Sequence, residues 1–490
     1  MNLKQKAFTG LIWSIIQNSG TQVFSLIIFL LLARLLTPET FGLIALANVF
    51  LAFVKIFLDQ GFAKALIQRE NIEPEHLDAA FWSQVGCGIL LTTITFLSAG
   101  LVSEAFDQPK LIPVLQSLSL IFVFNSVIQV HNALLNRKFA FKISAMRSLL
   151  STIISGVVGI VMAFAGYGVW SLVALNLTAV IVSVFVLWGT VDWRPHLRFS
   201  VKHFKELYSF GVYLLASKFI KFFEKRTDNL LIGYFLGEVA LGYYAIAYRI
   251  LEVMTDLLVK TVDKVALPTF SRLQTEPESF RQLFYKVTQF TSLIAFPTYF
   301  GVIIFAPELI VTLFGDKWIP ATEAMQILSL EGILLAVTRF HNSVLMSMGK
   351  PSWIVRIHIL NAVINSIACL IAVRWGITAV ALAYVISSYL VFPVSQWAVN
   401  KLIEIDLKTY LKQFSTSLFC SGIMVGAITI IKHLLTKNVS SLLLMIIGTI
   451  VGILVYTLCL RIVEPQLIKK TWQFVKSTSF SKKQTVKKTT

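Results

Sequence analysis

The run LLLMIIGTIVGILVYTLCL, residues 442–460, carries nineteen consecutive residues without a charge. Wound as an α-helix at 1.5 Å per residue it is about 28 Å long, the hydrocarbon thickness of a bilayer. A barrel strand would be shorter and would alternate polar with apolar residues, a pattern this run lacks. VFSLIIFLLLARLL, residues 23–36, repeats the signal near the start of the chain. It follows MNLKQK but is too long for a secretory apolar region and has no small-residue cleavage site, so it reads as a retained span.

Working outward from these two runs gives spans near 8–36, 41–60, 79–102, 111–134, 143–165, 168–189, 207–235, 239–262, 287–314, 320–348, 354–374, 377–399, 413–433 and 441–462. The fold class is therefore an all-α integral membrane protein with about fourteen transmembrane helices. Of the 490 residues 56% are hydrophobic and 14% charged, and the mean hydropathy is +0.76, which excludes an ordinary soluble domain. A net charge of +18 would suggest a nucleic-acid partner in a soluble chain; here its distribution reports topology, and no nucleic acid is expected.

The connections TPET, EAFDQPK, GYG, LGE, GDKWIP, WG and TKNVSS are short, and the basic residues among them are Lys110, Lys317 and Lys437. The alternate connections and the ends are rich in Lys and Arg, for example Lys64, Arg69, Arg137, Lys138, Lys142, Arg194, Arg198, Lys202 and Lys205 in the first half of the chain. By the positive-inside rule both termini are cytoplasmic, as an even number of crossings requires. The last stretch, SFSKKQTVKKTT at 479–490, is expected to be disordered and to rest on anionic lipid. Cys87, Cys369, Cys420 and Cys459 fall in apolar runs without CxxC spacing and read as structural thiols. The seven histidines are scattered, so no metal site is expected.

The chain repeats itself. LQSLSL at 115–120 returns as MQILSL at 325–330, and VHNALL at 130–135 as FHNSVL at 340–345, so that His131 and Asn132 recur as His341 and Asn342. TFGLIALA at 40–47 matches ALGYYAIA at 240–247, and Arg147 at the fifth span has Arg356 at the eleventh. Two homologous sets of six spans explain this: an N-terminal lobe over 1–200, a C-terminal lobe over 201–400, two further helices over 401–465 and a basic tail over 466–490. Six is even, so both copies enter the membrane in the same direction, related by a pseudo-two-fold axis along its normal, with a cavity expected where they meet. The bland reading of the His–Asn pairs is a helix-packing hydrogen bond kept in both copies.

Within the seventh span, SKFIKFFEKRTDN at 217–229 places charge where oil is expected. At 100° per residue Lys218, Lys221, Lys225, Asp228 and Asn229 share an arc of about 100°. A lysine at the bilayer centre costs about 2.5–3.5 kcal/mol on insertion scales, so the stripe should face water, protein or a counter-charge. Asp228 can pair with Lys225 and Glu224 with Lys221, but Lys218 and Arg226 leave the stretch positive, which points to an anion. The eighth span offers Arg249, Glu252, Asp256, Lys260 and Asp263 at spacings of 3, 4, 4 and 3. Lys55 and Asp59 follow Asn48 in the second span, Arg339 joins Glu331 in the tenth, and Gln17, Asn18 and Gln22 are neutral polar residues of the first. The alternatives are salt bridges that fix helix register, or an amphipathic surface helix at 217–229.

GLIWSIIQNSGTQVFSLIIFLLLARLLTPETFGLIALA, then YYAIAYRI, then LPTFSRLQ resembles the polysaccharide-transport branch of the multidrug, oligosaccharidyl-lipid and polysaccharide (MOP) exporter superfamily, over residues 1 to about 465. It is most similar to the Wzx-like exporters of colanic acid and related polysaccharides. The resemblance implies two six-helix lobes plus two helices in the bacterial inner membrane, and alternating access between leaflets. It implies as cargo an oligosaccharide unit on undecaprenyl pyrophosphate, with membrane lipids and polysaccharide polymerase machinery as further partners. Lys218, Lys221, Lys225, Arg249 and Arg339 become candidates to hold the pyrophosphate, since Lys and Arg bind phosphate oxygens by charge-assisted hydrogen bonds. Gln17, Asn18, Gln22, Lys55, Asp59, Asp228, Glu252 and Asp256 become candidates to line the cavity or to couple H⁺ or Na⁺, with no other cofactor. A flippase for the peptidoglycan precursor needs the same cations and is the first alternative; a drug or cation antiporter fits the lysines poorly. A membrane glycosyltransferase or polymerase would show acidic catalytic residues and a larger outer loop. GKPS at 349–352 has Val344 where a phosphate-binding loop needs glycine, so an ATP-driven pump is not supported.

Overall fold

The structure, a computed structural model, describes the backbone of residues 3–58, 61–208, 211–258, 260–435 and 439–465. Side chains are described from Trp13 onward apart from those of 15, 208, 211–217, 257 and 260–265. Asp59, the side chains of Lys260 and Asp263, and the basic tail over 466–490 lie outside the described residues.

Among the described residues the chain is helical throughout, with no strand. The α-helices are α1 (Leu3–Leu35), α2 (Pro38–Leu58), α3 (Phe62–Gln68), α4 (Pro74–Ala105), α5 (Leu111–Ser126), α6 (Gln129–Arg137), α7 (Phe141–Phe164), α8 (Val169–Thr190), α9 (Val201–Tyr208), α10 (Gly211–Leu258), α11 (Lys260–Arg272), α12 (Pro277–Leu313), α13 (Thr322–Thr338), α14 (His341–Ser347), α15 (Pro351–Ala372), α16 (Ile377–Ile403), α17 (Leu407–Leu435) and α18 (Ser441–Val463). Thirteen segments among them are long and apolar enough to cross a membrane. The fold class expected from the apolar runs is thus the one observed.

One of those segments, Lys218–Asp256, covers the expected seventh and eighth spans. Its 39 residues would make a straight helix of about 58 Å, twice a bilayer core. At Gly237 the backbone leaves the helical region, with φ 81° and ψ −179°, a conformation that glycine adopts without a Cβ penalty. There the chain turns back: Tyr244 Oη donates to Asp228 Oδ2 at 2.8 Å although sixteen residues separate them, a spacing of about 24 Å along a straight helix. The segment is a hairpin of two helices.

The repeat is visible in how its copies pack. A Cβ placed on Gly42 would strike the carbonyl oxygen of Glu238, and one on Gly242 would strike that of Pro38. Positions 38 and 238, like 42 and 242, are two hundred residues apart, so α2 and the return arm of α10 cross by a reciprocal contact of the two copies. Small residues let helix backbones approach this closely in a membrane. The fourth and tenth spans are both interrupted within four residues of the shared histidine, between α5 and α6 and between α13 and α14. The packing hydrogen bond expected of those histidines is present in one copy. His341 Nδ1 lies 3.2 Å from Ser395 Oγ, whereas His131 stacks on Trp188 at 5.1 Å between centroids and meets Trp193 edge-on, with neither ring nitrogen bonded. In the first copy tryptophans pack around the ring in place of a hydroxyl partner.

The chain divides into two compact units, Met1–Ala245 with Ala362–Val380, and Ile246–Asn361 with Ala381–Thr490. This division differs from a boundary near 200, because the first arm of the hairpin packs on α2: Phe222 joins Val49 and Ile56, and Gly233 accommodates Leu46. In the second unit α12 packs on α13, α17 and α18. Phe305, Cys420, Met424, Ile428, Tyr456, Cys459 and Leu460 form its core there, and Lys432 Nζ reaches Glu308 at 2.9 Å. None of the four cysteines is in a disulfide; three are buried and Cys87 is half-buried.

Candidate functional site

The lysine stripe of the seventh span divides in two. Lys221 and Lys225 are exposed and Lys218 is half-buried, whereas Thr227, Asp228 and Asn229 are buried. Measured back from the turn at Gly237 at 1.5 Å per residue, Lys225, Lys221 and Lys218 lie about 18, 24 and 28 Å down the arm. Lys225 is therefore near the middle of a core about 30 Å thick, and Lys218 is at its edge. The division has a tertiary cause. The return arm of the hairpin brings Tyr244 over Asp228, and the lysine face is left uncovered by that contact.

Asp228 is completely buried. Its Oδ1 accepts from Asn229 N at 2.7 Å and from Asn229 Nδ2 at 2.9 Å, and its Oδ2 accepts from Tyr244 Oη. Every group that hydrogen-bonds it is neutral. The pairing with Lys225 expected from their spacing is thus replaced by Tyr244 and Asn229. Around it the first unit gathers further polar groups from α15: Thr227 Oγ1 lies 3.3 Å from Ser366 Oγ, Asn365 Nδ2 donates to the Glu224 carbonyl at 3.3 Å, and Cys369 Sγ donates to Asn365 Oδ1 at 3.3 Å. The spacing of residues along the seventh span does not point to these partners, which come from distant segments. The signal for Tyr244 was its departure from the repeat, where Ile44 occupies the matching position.

The other candidates are dispersed. Gln17 Nε2 donates to Ser148 Oγ at 2.9 Å, Asn18 Nδ2 turns back to the Ser14 carbonyl of its own helix, and Gln22 is half-buried with its Nε2 unbonded. Lys55 is exposed. In the second unit Arg249 Nη1 pairs with Glu252 Oε2 at 2.5 Å, so part of its charge is met within the helix. Asp256 is half-buried on the same helix, and Arg339 is half-buried where α13 ends.

Glu73, His76 and His203 bring potential ligand atoms within 4.8 Å of one another, a cluster that scattered sequence positions concealed. The tautomer opposes metal ligation. Glu73 N donates to His76 Nδ1 at 3.2 Å, so the neutral ring carries its proton on Nε2, which faces Glu206 Oε2 at 3.3 Å. Arg69 Nη2 meets the same oxygen at 2.6 Å, and His203 Nε2 lies 3.0 Å from Glu73 Oε2. The cluster is a hydrogen-bonded latch between α9 and the segment joining α3 to α4. His76 and Arg69 hold the Glu206 carboxyl below the usual carboxylate range.

Known proteins share this architecture. The chain is 25% identical over 445 residues, 90% of its length and 91% of the relative's, to the teichuronic acid biosynthesis protein TuaB of Bacillus subtilis. It is 28% identical to the lipopolysaccharide biosynthesis protein WzxC of Escherichia coli over 71% of this chain and 72% of that one. It is 24% identical to the succinoglycan biosynthesis transport protein ExoT of Rhizobium meliloti over 94% of this chain and 93% of that one. Among solved structures, the lipid II flippase MurJ in an inward closed conformation superposes with a TM-score of 0.77 at 16% identity, covering 94% of this chain and all of that one, which establishes the fold. An inward-facing multidrug transporter of the MOP superfamily gives 0.59 at 13% identity, over 79% of this chain and 96% of that one. Residues 31–323 match the family described as "Polysaccharide biosynthesis protein". The chain, a multi-pass membrane protein with the fold of these transporters, belongs to that polysaccharide biosynthesis protein family.

Proposed function

We propose that this protein is a flippase, not an enzyme, that moves an oligosaccharide repeat unit on undecaprenyl pyrophosphate from the cytoplasmic to the periplasmic leaflet of the bacterial inner membrane. It does so by alternating access, and the product passes to polysaccharide polymerase machinery for exopolysaccharide or lipopolysaccharide assembly. The observation that carries the reading is the placement of Lys221 and Lys225 on an uncovered face of a membrane-spanning arm. A multivalent phosphate anion offsets the cost of holding ammonium groups there, and the attraction strengthens where bulk water is excluded. The names of the relatives favour a polysaccharide cargo, and the likeness to MurJ keeps the peptidoglycan precursor as the second reading, since both cargoes carry pyrophosphate.

Asp228 is the best-placed coupling group. A buried carboxylate whose hydrogen-bond partners are neutral is costly as an anion, which favours binding of a proton or a small cation, and exchange of H⁺ or Na⁺ there would drive the cycle. Reconstitution with a pyrophosphate-linked glycolipid tests both claims. The triple substitution Lys218→Gln, Lys221→Gln, Lys225→Gln should abolish translocation, and Asp228→Asn should remove its dependence on an ion gradient. Unchanged flipping by the correctly inserted triple variant would overturn the anion site.

A further inference from the structure

Arg147 sits six residues into α7, about 9 Å from the end of the helix that lies beside the basic residues Arg137, Lys138 and Lys142. An arginine at that depth can snorkel to the headgroups. This one turns into the protein instead. Its Nη1 donates to Asn132 Oδ1 and its Nη2 donates to Ser148 Oγ at 3.1 Å, an oxygen that also accepts from Gln17 Nε2. Its Nε is buried with no hydrogen-bond partner. Helix α7 lies on three helices, α1, α6 and α8, and α6 follows α5 after a two-residue break.

None of these helices carries a carboxylate: residues 3–35, 111–137, 141–164 and 169–190 contain neither Asp nor Glu. The guanidinium has five N–H donors and its bonded partners are two neutral oxygens. A cation in a membrane-spanning helix normally meets a counter-charge, and here the surrounding helices supply none. The copy of the motif in the second half differs, because Arg356 and Asn342 are both exposed. The half-buried, hydrogen-bonded arrangement is thus specific to the first half and is not a packing rule of the repeat.

We propose that Arg147, oriented by Asn132 and Ser148, is a phosphate-binding position in the first half of the chain, separate from the lysines of α10. Its ligand is a lipid-borne phosphate, which either the pyrophosphate carrier or an anionic phospholipid can present. The first of these sources rests on the proposed transport function; the second does not. A guanidinium recognises phosphate oxygens through its planar fork of N–H donors, and two of the five donors of Arg147 are taken by protein oxygens.

The test uses the purified full chain in detergent, with undecaprenyl pyrophosphate and phosphatidylglycerol as separate probes and affinity and ligand-induced thermal stabilisation as readouts. Arg147→Gln should weaken binding of at least one probe about ten- to hundredfold, the scale of a charge-assisted hydrogen bond. Loss confined to undecaprenyl pyrophosphate assigns the cargo, and loss of phosphatidylglycerol binding assigns a membrane lipid. Arg147→Lys keeps the charge but not the fork to Asn132, and should retain most of the affinity that Arg147→Gln loses. If both substitutions lower the ligand-free melting temperature and leave both affinities unchanged, Arg147 only pins α6 and the proposal fails; unchanged affinity with unchanged melting also overturns it. The triple lysine variant measured in parallel separates the two ideas, since loss there with none at Arg147 removes this site alone, and the reverse removes the lysine site alone.

Discussion

Tyr244 caps one oxygen of Asp228, a predicted lining residue that the structure buries. Its hydroxyl supplies one of three hydrogen bonds to the carboxylate, and the other two come from Asn229. Tyr244→Phe should therefore destabilise the protein by about 1–3 kcal/mol, the cost of an unmet buried acceptor, seen as a lower melting temperature in detergent. Adding Asp228→Asn should recover part of that loss, because a neutral amide needs less compensation than a carboxylate. Additive losses in the double variant would show that the two groups do not act on each other.

At the scale of elements, the crossing of α2 with the return arm of α10 depends on the absence of two Cβ atoms. In Gly42→Ala or Gly242→Ala the new methyl meets a backbone carbonyl, which cannot rotate away as a side chain would. Each substitution should cost about 1–3 kcal/mol of stability, the usual range for overpacking. Because the contacts are reciprocal, one helix displacement relieves both, so the double variant should lose less than the sum of the singles. Melting curves of the three variants check this. The latch between α9 and α4 carries its own pH signature. Glu206 has a folded-state pKa below its ordinary value, so its contribution is present above the ordinary carboxylate range and is lost as pH falls through that range toward the folded value. Hydrogen exchange of α9 should accelerate on acidification through that window, and Glu206→Gln should remove the pH dependence.

For the whole molecule, the distribution of Lys and Arg predicts which loops face the cytoplasm. Lys138→Cys, in the basic loop before α7, should resist a membrane-impermeant maleimide applied from outside, whereas Lys317→Cys, in the short connection before α13, should react. The reverse pattern would invert the assigned direction of transport. The native cysteines are buried or half-buried within helices, so the introduced thiols dominate the labelling.

The sequence by itself determined the number and order of the apolar runs, the two-copy repeat, the basic side and the lysines of the seventh span. Each of these is carried by residues close together in the chain: helix length and charge are summed over one turn after another, and a duplicated motif is read by comparing short words. Only the tertiary structure decided that Tyr244 returns onto Asp228, that Asp228 is buried while Lys221 and Lys225 are exposed, and that Arg147 meets Asn132 and Ser148 beside Gln17. Helical periodicity places a residue on a face but does not say which helix covers that face. That is settled by close approach between segments distant in sequence, as where Gly42 admits Glu238 and Gly242 admits Pro38.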